Sequence, residues 1–228
     1  SRGTPNLRRA ARLIAVSVPA KPRYLKLLPL FVGMLALCSP AAGTWAQSPY
    51  AATKIAADQL ALSFHRSFAT PVMVLRPFNT YGPRQSTRAV TATILTQLLE
   101  GREQVQLGRL DTRRDLTFVS DVVEGFLRAG STPGVEGEVI QLGTGRAVSI
   151  RELFDAACRV VGRKAVIQED ARRLRPDASE VLALESDPSL AEKRLGWRAD
   201  ISLEEGLERT ARWLRDNRER YRADFLYA

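Results

Sequence analysis

A chain of 228 residues, 45% hydrophobic and 26% charged, has the make-up of a folded protein with room for one large domain or two small ones. The net charge of +9 is lopsided: residues 1–47 hold seven Lys or Arg and no Asp or Glu, which leaves +2 for residues 48–228. That remainder has no basic run interleaved with aromatics, which argues against a nucleic-acid partner; two cysteines and the single histidine, His65, argue against a disulfide framework and a His/Cys metal centre.

In chain order, residues 1–47 come first and differ in kind from the rest. They run from an Arg-rich start through "LLPLFVGMLALC" to "SPAAGTWAQ". This is the layout of a secretory signal, with an apolar run too short for a comfortable membrane span. "LALC" approaches a lipoprotein box, but Leu37 stands where a small residue belongs. Acid-free text rich in Arg, Ala, Pro and Leu also arises when DNA is translated out of frame, so both readings stand at this point.

From Ser48 the pattern is regular. Ser48 as cap with Pro49 in the first position predicts a helix carrying Ala57, Leu60, Ala61, Phe64 and Phe68 on its buried face. "TPVMVLRPF" has the β-branched, apolar character of a buried parallel strand, and "NTYGPRQS" reads as a turn. "AVTATILTQLLEG" predicts a helix closed by Gly101. "QVQL", "DLTFV" and "EVIQL" predict short strands, with a helix at 121–129 between the last two. Ser149 with Glu152 and Ser202 with Glu205 form capping-box patterns ahead of two further helices, and Asp187-Pro188 opens another. Strands alternating with helices predict an α/β fold with a mostly parallel sheet.

Within the first helix, "SPYAATK" places Tyr50 and Lys54 one turn apart on one face. A snorkelling lysine beside a packed tyrosine accounts for that spacing. So does chemistry. A phenol, with an ordinary pKa of ~10, is a poor base at neutral pH. A neighbouring ammonium and a cationic nicotinamide both favour the phenolate, which can then take a hydroxyl proton as hydride leaves the same carbon.

The segment "SPYAATKIAADQLALSFHRSFATPVMVLRPFNTYGPRQ" resembles the extended short-chain dehydrogenase/reductase family, which remodels nucleotide sugars with NAD. "LGRLDTRRDLTFVSDVVEGF", "GEVIQLGTGRAVSIRELF", "RRLRPDASEV" and "DPSLAEKRLGW" continue the pattern in order, over about residues 47–215. Within the family "RPFNTYGPRQS" and "TRRDLTFVSD" look most similar to the UDP-N-acetylglucosamine 4,6-dehydratase type used for bacterial surface sugars, with 4-epimerases and UDP-xylose synthases as neighbours. The resemblance implies a partial Rossmann-like parallel sheet with a smaller C-terminal α/β substrate-binding region over residues 48–228. It implies Tyr50 as catalytic base, Lys54 on the nicotinamide ribose, and Pro77 beside the nicotinamide. Asn79 would lie near the sugar diphosphate, Arg114 on the diphosphate and Arg175 at the nucleotide end. Pro77 and Asn79 would then end a strand at the carboxyl edge of the sheet, where α/β ligands bind. Arg84 is expected to structure its loop, and "GTGR" at 143–146 lacks the third glycine of a dinucleotide fingerprint. The resemblance further implies a homodimer formed through the Tyr50 helix, no metal and no membrane.

The family's strand, G-x-x-G-x-x-G turn and helix for NAD have no counterpart in the chain. Nor does its S/T strand motif ending in V-Y-G, whose position falls in "YLKLLPL", nor the acid with which a dehydratase removes the C5 proton. Family-like sequence begins abruptly around Gln47. This favours a non-native leader over a secreted protein and leads us to expect a cytoplasmic setting. The function expected is a nucleotide-sugar 4,6-dehydratase lacking its NAD-binding half; a 4-epimerase, a UDP-xylose synthase-like decarboxylase and a non-catalytic sugar-nucleotide-binding remnant are the alternatives.

Overall fold

The computed structural model describes residues 49–173 and 181–220. The leader, the Ser48 cap and Arg175 lie outside the described residues. Helix α1 (Pro49–Phe68) leads into β1 (Val74–Pro77) and β2 (Asn79–Tyr81), and α2 (Val90–Leu99) into β3 (Gln104–Leu107) and β4 (Arg113–Phe118). There follow α3 (Val119–Ser131), β5 (Val139–Leu142), β6 (Ala147–Ser149), α4 (Ile150–Val161), β7 (Val166–Glu169), β8 (Ala183–Leu184), α5 (Ser189–Leu195) and α6 (Leu203–Asp216). The expected α/β architecture is present, and among the described residues four of the five strand pairings are parallel: β1 with β5, β2 with β4, β3 with β7 and β4 with β8. The antiparallel exception joins β6 to β4.

The chain changes partner at Phe78. Pro77 closes the β1 ladder opposite Leu142, the Phe78 N–H donates to the Leu142 carbonyl, and Asn79 opens β2 opposite Leu116. Asn79 therefore begins a strand rather than ending one. "NTY" reads as a turn because Asn, Gly and Pro crowd together there, yet the backbone groups of 79–81 are satisfied by β4. Strands β6 and β8, of three and two residues, are too short to carry a periodic signal.

Two cores flank this crossover. One packs Leu75, Ile140, Leu142 and Trp197 under α3 and α5; the other packs Tyr81, Leu107 and Phe118 against α2, α4 and α6. Helix α2 buries every side chain from Thr91 to Leu98, including Gln97, whose side chain bonds the Thr93 carbonyl and the backbone of Gln106. Among the described residues no helix is long and apolar enough to cross a membrane.

Helix α1 corrects the expected buried stripe. Its buried residues are Asp58, Ala61 and Leu62, while Leu60 (60% exposed), Phe64 (46%) and Phe68 (66%) face outward. The i, i+4 row from Tyr50 runs through Lys54 to Asp58 and Leu62, so the strand side of the helix is rotated away from the larger apolar side chains. Hydrophobic type alone does not reveal this, because apolar residues occupy both faces.

The two capping patterns also part company. Ser149 accepts from Glu152 N at 3.1 Å while Glu152 accepts from Ser149 N at 2.6 Å, a reciprocal box. Ser202 accepts from Glu205 N, but the Glu205 carboxylate turns to Arg209 at 2.6 Å. We expect Ser149→Ala to lower stability by about 1 kcal/mol in urea denaturation at neutral pH. Hydrogen bonds from Ser149 hold the Glu152 carboxyl below its ordinary range. Its contribution is therefore complete where carboxylates are ordinarily ionised and is lost as pH falls through the depressed value. The larger part comes from the Ser149 backbone N–H, which alanine retains. Both proteins therefore lose stability in acid, and the difference between them narrows only by the smaller part that the hydroxyl carries.

Gly206 in α6 lies directly over Tyr81. A Cβ there would overlap the Tyr81 hydroxyl and stand 2.7 Å from Tyr81 Cζ and 2.9 Å from Phe118 Cδ2. The hydroxyl donates to the carbonyls of Leu203 at 3.3 Å and Ser202 at 3.5 Å, and burial, followed by the charges of Asp121, Glu204 and Glu205, keeps it protonated. We expect Gly206→Ala to cost about 2 kcal/mol through overpacking, despite alanine's better helix propensity, as a lowered denaturation midpoint of this chain.

Candidate active site

Tyr50 and Lys54 occupy the first two turns of α1, a helix that carries no acidic residue in its first turn. Lys54 Nζ lies 5.2 Å from the centroid of the Tyr50 ring, an ammonium against a π face. The tyrosine is 48% exposed. The helix carrying this pair is tied to β1 by an ion pair absent from the sequence expectations. Asp58, wholly buried, receives Arg76 Nη2 at 2.7 Å and Arg76 Nε at 2.9 Å on the same carboxylate oxygen. Arg76 precedes Pro77, buried at the carboxyl end of β1.

Asn79 and Arg114 come together on adjoining strands. Asn79 Nδ2 donates to the Asp115 carbonyl at 3.3 Å, and Asn79 pairs with Leu116, two residues beyond Arg114. Arg114 Nη1 donates to the carbonyls of Arg113 at 2.9 Å and Val181 at 2.7 Å. Its guanidinium therefore braces the chain where residue 181 returns to β4. In the loop after β2, Gln85 Nε2 donates to the Thr80 carbonyl at 2.9 Å, and Arg84 adopts a left-handed backbone with φ 68°.

Between these parts stands Asp115, a carboxylate with no exposed surface. It accepts from Thr144 Oγ1 at 2.6 Å, Thr144 N at 2.9 Å, Gly145 N at 3.0 Å, Ser186 N at 3.2 Å and Ser186 Oγ at 2.5 Å. The "GTGR" turn is thus a cradle for the protein's own carboxylate. Gly143 makes the approach possible, since a Cβ there would stand 2.8 Å from Asp115 Oδ2. The signals for both missed residues were in the sequence: an acid inside the apolar strand "DLTFV", and an acid eight residues after Tyr50. A carboxylate in either place needs donors around it. Among the described residues no group of three or more His, Cys, Asp or Glu is arranged to hold a metal.

Comparison with known proteins identifies the family. The family model of GDP-mannose 4,6-dehydratase matches residues 39–210, beginning upstream of Gln47. The chain is 31% identical to the UDP-glucuronate 4-epimerase of Thermodesulfobacterium geofontis over 75% of its own length and 52% of that protein's. It is 34% identical to the dTDP-glucose 4,6-dehydratase of Streptomyces antibioticus over 75% of its own length and 50% of that protein's. The UDP-glucuronic acid 4-epimerase of Bacillus cereus, solved in complex with UDP-glucuronic acid and NAD, superposes with a TM-score of 0.69 at 27% identity, over 76% of this chain and 54% of that one. The chain spans about half the length of the curated relatives it matches. With the family model covering most of its length, the chain belongs to the GDP-mannose 4,6-dehydratase family of NAD-dependent nucleotide-sugar epimerases and dehydratases.

Proposed function

We propose that the protein acts on a nucleotide sugar of the UDP-N-acetylhexosamine kind as an NAD-dependent 4,6-dehydratase. The observation that carries this reading is the half-exposed Tyr50 with the Lys54 ammonium 5.2 Å from its ring, on a helix joined to the strand that ends at Pro77. The chain's described residues fit the nicotinamide and sugar ends of such a site: Lys54 for the ribose, the buried Pro77 beside the ring, and Asn79 and Arg114 for the diphosphate; Arg175, expected at the nucleotide, lies outside the described residues. NAD, when bound there, supplies a hydride acceptor for C4 of the sugar and a hydride donor afterwards. Tyr50 takes the proton of the 4-hydroxyl, and the Lys54 ammonium favours the resulting phenolate by charge. Arg114, whose Nη1 is engaged by the Arg113 and Val181 carbonyls, brings its positive charge to the diphosphate, so that binding holds the 4-hydroxyl against the phenol.

A 4-epimerase shares these residue roles, and the identity to a UDP-glucuronate 4-epimerase supports it as the second reading. The description of the matching family model supports the dehydratase. NMR of the products formed by the full-length protein from UDP-N-acetylglucosamine and NAD tests both. A 4-keto-6-deoxy sugar is the expected product; the C4 epimer would establish the second reading, and no turnover of any nucleotide sugar would refute both. We also propose a homodimer through α1, whose outward Leu60, Phe64 and Phe68 form an apolar stripe with the two rings 5.7 Å apart.

A further inference from the structure

Helix α1 meets the rest of the described chain late. From Pro49 to Ala57 no side chain is buried; the buried face begins at Asp58 and continues with Ala61 and Leu62, which pack with Val72 and Val74. Tyr50 and Lys54 therefore stand on a helix end whose first buried side chain, among the described residues, is that of Asp58. That residue is one turn beyond Lys54 on the same row, and its partner Arg76 is the neighbour of Pro77 at the end of β1.

An ion pair is an odd choice if the only need is adhesion. Removing a carboxylate and a guanidinium from water offsets most of their attraction, and two packed apolar side chains would hold a helix as well. Asp58 Oδ1 has no hydrogen-bond partner among the described residues, so its burial is not fully compensated. What the pair adds is direction. Nε and Nη2 of one planar fork converge on Oδ2 at 2.9 and 2.7 Å, which fixes the helix both along its axis and in rotation about it.

We propose that Asp58 and Arg76 are positioning residues for the Tyr50–Lys54 pair, setting the height and rotation of the helix end relative to the carboxyl end of β1. This rests on the reading of Tyr50 as the base at the sugar 4-hydroxyl. Neither residue touches the reacting atoms; they act through the helix.

Two conservative variants of the full-length protein test it. Arg76→Lys keeps the charge and loses the fork; Asp58→Glu keeps both charges and lengthens the link by one methylene. Each is expected to lower kcat by about tenfold to a hundredfold, as misplacement on the scale of an ångström does, with nucleotide-sugar affinity by calorimetry changed no more than about twofold. In the cofactor-free protein, hydrogen exchange is expected to accelerate at amides 53–57 and to stay unchanged at 62–66. A wild-type kcat in both variants, or exchange that rises uniformly along α1 with a falling thermal midpoint, assigns the pair to stability alone and overturns the proposal. If Arg76→Lys does not fold, Asp58→Glu decides by the same readings. A wild-type protein that turns over no nucleotide sugar overturns the function proposed above and this inference with it; a wild type that turns over beside variants that match it overturns this inference only.

Discussion

Replacement of Tyr50 by phenylalanine is expected to lower nucleotide-sugar turnover by the full-length protein by about a thousandfold. Affinity for the nucleotide sugar is expected to stay within about twofold of wild type. The asymmetry follows from what the substitution removes. Phenylalanine keeps the ring, so it can still lie against the Lys54 ammonium, and it leaves Asn79, Arg114 and the rest of the fold untouched. Only the phenolic oxygen is lost, and with it the proton acceptor proposed for the 4-hydroxyl. Because Tyr50 is 48% exposed and the described residues before Asp58 bury no side chain, little packing depends on it, and the thermal midpoint should barely move. Steady-state kinetics combined with calorimetric titration of the nucleotide sugar separates the two quantities. Turnover at the wild-type rate would remove Tyr50 from the role of base and would return the pair to an ordinary lysine lying over an ordinary tyrosine.

Asp115→Asn is expected to be the most damaging change to the fold. The carboxylate accepts hydrogen bonds from five donors of Thr144, Gly145 and Ser186 with no exposure to water. An asparagine of the same shape offers one acceptor oxygen, and its amide hydrogens would face N–H groups that already point inward. Buried donors lose their partner, and those donors belong to the 143–146 turn and to the segment that follows β8. The expected loss is about 3 kcal/mol or more, since hydrogen bonds to a charged group contribute about 1.5–3 kcal/mol each and leaving donors unmet adds a desolvation penalty. Guanidinium denaturation of this chain measures it. Thr144→Val, which removes the hydroxyl and leaves the backbone donors in place, should cost much less. A change below about 1 kcal/mol in Asp115→Asn would show that solvent or neighbouring groups satisfy the turn without the charge. A functional effect is expected to accompany the loss, because the Asp115 carbonyl holds the Asn79 side chain and Arg114 precedes it on β4.

The sequence alone determined the elements whose signals are local. The Ser149–Glu152 box, the Gly101 turn after α2, and the parallel strands "QVQL" and "EVIQL" depend on residues within a few positions of one another. The Tyr50–Lys54 spacing is equally local: four residues on a helix put the two side chains together whatever surrounds them. Tertiary structure decided everything that depends on which face meets which neighbour. Helix α1 has apolar side chains on two faces, and only the position of β1, with Arg76 reaching Asp58, selects the one that is buried. "NTY" carries turn residues, and only the presence of β4 makes it a strand. Asp115 lies 29 residues from Thr144 and 71 from Ser186, a separation that no periodicity records. The physical reason is the same in each case. A helix turn or a cap is stabilised by neighbours in the chain, whereas a buried charge is tolerated only where distant donors converge on it, and that convergence exists only after the chain has folded.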